Sequence, residues 1–128
     1  MSVFDETKKF KFEDCKDKQC FKKGIEMLNI EIDEHYNGMF EELIENMTDD
    51  IMNLLSKVID HLFDEGYKFY IRLLRDPCSD EILVDFVVYP EDKSYDWFKS
   101  VVLKLYDDLK RISEGKINTY FIGFDVKI

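Results

Sequence analysis

The sequence predicts an α+β fold in which helices pack on one face of a small antiparallel sheet. Three observations carry this. Residues 25–62 place apolar side chains at helical spacing, residues 67–89 alternate as two strands around a turn, and a second helical stretch is followed by a last alternating run. The chain has 128 residues, which fits one domain. Its 45% hydrophobic and 15% aromatic content is enough for a core and argues against global disorder.

Taken in order, residues 1–7 read as a flexible lead. Lys9–Glu13, with Phe10 and Phe12 on one side, reads as a short first strand. From Ile25 to Met47 the apolar residues Ile25, Leu28, Ile32, Tyr36, Met39, Phe40, Leu43 and Met47 fall on one helical stripe. Asn37-Gly38 is a turn signal inside that stripe, so the helix is expected to kink or break there. After Met47 the apolar phase rotates. Thr48 followed by Asp49 and Asp50 makes a good N-cap, and a second helix is expected over about 49–64, stopped by Gly66.

Tyr67–Leu73 and Ile82–Tyr89 then form a hairpin around the turn residues Asp76-Pro77-Cys78-Ser79-Asp80. Ser94 or Asp92 caps a helix over Tyr95–Ser113 whose apolar face is Phe98, Val101, Val102, Leu105, Leu109 and Ile112, and Gly115 stops it. Tyr120, Ile122, Phe124, Val126 and Ile128 line the inner side of a last strand, in which Gly123 marks a bulge or a close approach. If the first strand forms, the order is β-α-β-β-α-β, the ferredoxin-like pattern, with residues 24–65 as an extended acidic helical first crossover and 67–128 as a β-β-α-β body. Without it the sheet has three antiparallel strands.

The formal charge is −10, and it is unevenly placed. Residues 1–23 carry +2, residues 24–65 carry −11 with Lys57 as their one cation, and residues 66–128 carry −1. On the expected helix Glu34, Glu41 and Glu45 lie opposite the apolar stripe, with Glu31 and Glu42 beside them. A surface helix ordinarily sets lysines one turn from its acids, and this segment does not. A row of carboxylates can compete for a groove built for phosphates, because the two charge spacings are similar.

Several chemistries are excluded by residue type and spacing. The net charge argues against direct nucleic-acid binding. The exposed-side candidates Lys68, Tyr70, Arg72, Tyr89 and Phe121 are only a faint echo of a nucleic-acid-binding sheet, because Asp85 and Asp125 lie among them. The isolated glycines build no phosphate loop. His35 reads as a boundary histidine paired with Glu31, and His61 likewise as a boundary residue. No nucleophile stands beside either in sequence.

Cys15, Cys20 and Cys78 are an odd set, expected as free thiols in a reducing cytosol and short of the ligands that zinc needs. No basic, apolar leader and no membrane span is seen. The chain contains no alanine and only three arginines, a bias expected of an AT-rich genome such as that of a phage or plasmid.

The expectation is therefore a small cytoplasmic protein with no enzymatic activity and no cofactor or metal. Its partner would be a basic nuclease or CRISPR effector, met through Glu31, Glu34, Glu41, Glu42, Glu45, Asp49 and Asp50. An acidic immunity protein against a nuclease toxin is the alternative, and a small enzyme or housekeeping subunit the second. Tyr95 and Trp97 are candidate anchors, in which case the acids steer the encounter.

Overall fold

Residues 10–90, 94–114 and 121–127 are described by the structure, a computed structural model. A single 3-10 turn, Phe12–Asp14, stands where the first strand was expected. The Asp60 carboxylate explains it, accepting the Phe12 and Glu13 backbone N–H groups at 2.9 Å each and so taking donors a strand would give to a neighbour. The expected lead at 1–7 lies outside the described residues.

Helix α1 (Lys18–Met27) begins at Asp17, whose side chain accepts the Cys20 N–H at 2.9 Å. The long helix expected over 25–47 does not form. The chain leaves α1 at Leu28, turns through Asn29 at φ 54°, and enters strand β1 (Ile32–Glu34). Ile30 and Ile32 face the core while Glu31 and Asp33 stay exposed, a period of two that overrode the helical period. Segment 24–65 is thus acidic but not wholly helical. It continues as α2 (Met39–Asn46), entered through Gly38 at φ 94°, and α3 (Asp49–Asp64), where the Thr48 hydroxyl accepts the Ile51 N–H at 3.2 Å.

Strands β2 (Phe69–Arg75) and β3 (Ile82–Val88) form the expected hairpin. Helix α4 (Tyr95–Ser113) follows from its Ser94 cap, and β4 (Ile122–Val126) closes the sheet. Helix α4 ends on Glu114 in the left-handed conformation, φ 57°. The glycine expected to end it, Gly115, lies outside the described residues.

The sheet order is β1-β2-β3-β4. It is mixed, not antiparallel: β1–β2 and β3–β4 run parallel and only β2–β3 is antiparallel. Helical crossovers cause this, since they return the chain to the end it started from. Each helix-linked pair of strands is adjacent, whereas a split βαβ arrangement sets a strand between them, so the expected ferredoxin-like sheet is replaced.

One apolar core joins all four helices to the sheet face formed by Ile71, Leu73, Val84, Phe86, Val88, Ile122, Phe124 and Val126. Among the described residues the opposite face carries its own long side chains and no helix. Arg72 reaches from β2 across β3, pairing with Asp85 at 2.5 Å and Asp125 at 2.9 Å. Lys127 reaches the other way, its ammonium 5.3 Å from the Tyr70 ring centre and 5.5 Å from that of Tyr89. Between these two bridges Val87 is only 2% exposed. Gly123 sits opposite Asp85 in unbroken register, and a Cβ there would lie 3.2 Å from the Asp85 carboxylate, so the glycine makes a close approach and not a bulge.

Candidate functional site

The acids of residues 24–65 take different roles once the chain is folded. Glu34 lies on β1, and its carboxylate accepts the Phe40 N–H at 2.7 Å. It caps α2 from a distance, because the N-cap residue Gly38 has no side chain to do so. Glu42 receives two bonds from the Arg75 guanidinium, at 2.9 and 2.7 Å. Arg75 also donates to the Asp80 carbonyl at 2.6 Å and to the Tyr36 hydroxyl, so it ties α2 to the β2–β3 turn. Glu41 pairs with Lys22 of α1 at 3.0 Å and holds that ammonium above its ordinary pKa, chiefly through the hydrogen bond. Asp64 and Glu65 pair with Lys11 and Lys104. Asp60 is buried against backbone N–H groups.

The single row expected of Glu34, Glu41 and Glu45 therefore does not exist. Glu34 is on a strand, and Glu41 and Glu45 are on α2. The missing lysines are also found: the neutralising cations come from α1, β2, α4 and the segment before α1, far away in sequence. Glu31 is exposed ahead of β1, where its carbonyl accepts the Ile71 N–H at 2.9 Å. With Asp33 it puts charge on an edge strand, which discourages pairing with another sheet.

Three further exposed acids meet at the corner between α2 and α3. Glu45, Asp49 and Asp50 are exposed there, and their carboxylates make no ion pair among the described residues. Asp49 and Asp50 stand in the first turn of α3, where the helix dipole favours negative charge. The corner is not free of cations. The Lys18 ammonium donates to the Glu45 carbonyl at 2.9 Å, and Lys57 lines the shallow hollows beside Asp49 and Asp50.

The histidines also differ from expectation. His35 is exposed, packs its ring edge toward Tyr36, and makes no ion pair with Glu31. His61 bonds through Nε2 to Asp108 of α4 at 2.6 Å, and the other Asp108 oxygen takes Arg111 at 2.7 Å. Asp108 is only 6% exposed. The clue in the sequence was an acid seven residues after Val101 and three after Leu105, within the apolar face of its helix. The group opens on a hollow of about 480 Å³ lined by Lys57, Asp64 and Arg111, with no serine, threonine or cysteine among the lining residues. Among the described residues no three histidines, cysteines or carboxylates converge as a metal site.

Cys15 and Cys20 are joined by a disulfide, against the expectation of free thiols, and Cys78 is free and exposed. The turn after Cys15 that starts α1 brings their Cα atoms to 5.3 Å, within the range a disulfide spans. Phe121 is buried in the core, not on the open face. Tyr95 is 73% exposed, whereas Trp97 packs partly against the core. No described helix is long and apolar enough to cross a membrane. No protein-family model, curated protein or solved structure matches the chain.

Proposed function

We propose that this chain is a small inhibitor without catalytic activity that binds a basic, nucleic-acid-handling protein, of the anti-CRISPR or anti-restriction kind, and blocks its groove. The observation that supports this is the α2–α3 corner, where Glu45, Asp49 and Asp50 stay exposed with no ion pair among the described residues, while Glu41 and Glu42 on the same helix α2 are paired within the fold. Glu41 borders the corner. Glu34 and Glu42 support it by holding α2 in place. Unpaired carboxylates on a fixed helix junction attract a phosphate-binding groove over a distance set by salt, about 8–10 Å near physiological ionic strength.

The test is inhibition of DNA cleavage by a panel of purified CRISPR effectors and restriction nucleases. The expected result is inhibition of at least one, weakened by added salt, and lost when Glu45, Asp49 and Asp50 are all changed to Lys while the circular dichroism spectrum is retained. Inhibition that survives this triple reversal refutes the reading. Action in the cytoplasm belongs to the same proposal.

A further inference from the structure

Helix α4 carries a second stripe that the core does not use. Tyr95 is 73% exposed, Leu103 56% and Tyr106 46%. On a helical wheel they share one side, about 100° wide, with half-buried Val102 and with Lys99 and Lys110. Those two ammonium groups make no ion pair among the described residues. Tyr106 is steadied by an edge contact with Phe124 of β4, ring centres 5.6 Å apart, so it presents a fixed surface.

The order of residues along this stripe is self-complementary. Laid antiparallel on a copy of itself, with the two-fold axis between Val102 and Leu103, the stripe sets Tyr95 opposite the second copy's Lys110. Lys99 falls opposite Tyr106, and Val102 opposite Leu103. A two-fold contact requires this reciprocity, because each pairing occurs twice. Every lysine of the stripe then meets a tyrosine ring, which gives its charge the partner it lacks in the single chain. We infer that two copies of this chain associate through α4, antiparallel about Val102 and Leu103.

The stripe is about 22 Å long at 1.5 Å per residue, at the small end for a specific interface. Weak association is therefore expected, with a dissociation constant between about 1 µM and about 1 mM. This inference is independent of the α2–α3 corner and stands whether or not an inhibitory partner is found.

Sedimentation equilibrium on the full chain, from about 1 µM to about 1 mM, tests it. The mass is expected to rise from that of one chain, 15.4 kDa, toward twice that value. Leu103→Lys at the centre should leave one chain at all concentrations. Tyr95→Lys sets lysine against lysine and should weaken association roughly tenfold or more, while Tyr95→Lys combined with Lys110→Tyr should recover it, because exchanging the members of a pair keeps the pairing. These positions are exposed, so an unchanged circular dichroism spectrum is expected, with an unchanged thermal midpoint at concentrations where the parent is a single chain. A single-chain mass throughout overturns the inference. So does a dimer that Leu103→Lys leaves intact, or a double exchange that recovers nothing.

Discussion

Changing Gly24 to alanine pits local preference against packing. In a helix interior the substitution ordinarily gains about 1 kcal/mol, because glycine loses more backbone freedom on folding. Here a Cβ would lie 2.6 Å from Phe12 Cε2 and 2.7 and 2.8 Å from Phe10 Cζ and Cε1. Carbon atoms in contact sit about 3.5–4.0 Å apart, so the rings must retreat by roughly 1 Å. Phe12 has no room to retreat: it is 0% exposed, packs its edge on Phe21, and its N–H is held by Asp60. Overpacking of this kind costs about 1–3 kcal/mol. Set against the local gain, the substitution should destabilise the protein by up to about 2 kcal/mol. Urea unfolding followed by circular dichroism measures it. Adding Phe10→Ala removes two of the three clashes, so the double variant should be less destabilised than the sum of the single ones. A Gly24→Ala protein more stable than the parent by the full local gain of about 1 kcal/mol refutes the packing described here.

Two further predictions concern groups outside that cluster. Burial, and then the hydrogen bond with Asp125, push the Asp85 pKa up to about 6 in spite of Arg72. A carboxyl whose folded pKa is raised contributes stability that is complete below its unfolded value near 3.8 and is lost as pH rises through about 6. The stability of the parent relative to Asp85→Asn should therefore fall by up to about 3 kcal/mol between pH 4 and pH 7, and parallel unfolding curves for the two proteins would refute this. Replacing Cys15 and Cys20 with serine opens a loop of five residues' separation, so the unfolding free energy should drop by about 2 kcal/mol by loop entropy, read from denaturation midpoints with and without reductant.

Local pattern was enough for several elements. The Thr48 cap and α3, the β2–β3 hairpin, and α4 from Tyr95 to Ser113 all appear as expected, because cap, period and turn residues there agree. The stretch from Leu28 to Glu34 went the other way. Its apolar residues fit a helical stripe, yet Ile30 and Ile32 also alternate with Glu31 and Asp33, and the open edge of β2 decided between the two. The first strand failed for a related reason: Phe12 and Glu13 give their N–H groups to Asp60, an acid 47 and 48 residues away.

The candidate site shows the same division. The surplus of acid in residues 24–65, and its lack of local lysines, is a property of composition and stands without any structure. Which carboxylates are spent and which are left depends on cations brought from other elements: Arg75 on β2 to Glu42, Lys22 on α1 to Glu41, Lys11 to Asp64, Lys104 on α4 to Glu65. Such pairs leave no periodic mark, since their spacing along the chain is set by topology and not by helix or strand geometry. Fold class and the position of the charge were therefore readable from neighbouring residues alone. The mixed sheet, the Asp60 clasp on Phe12, and the division of the expected acidic row between strand β1, ion-paired carboxylates and the α2–α3 corner required contacts between distant segments, which only the folded chain supplies.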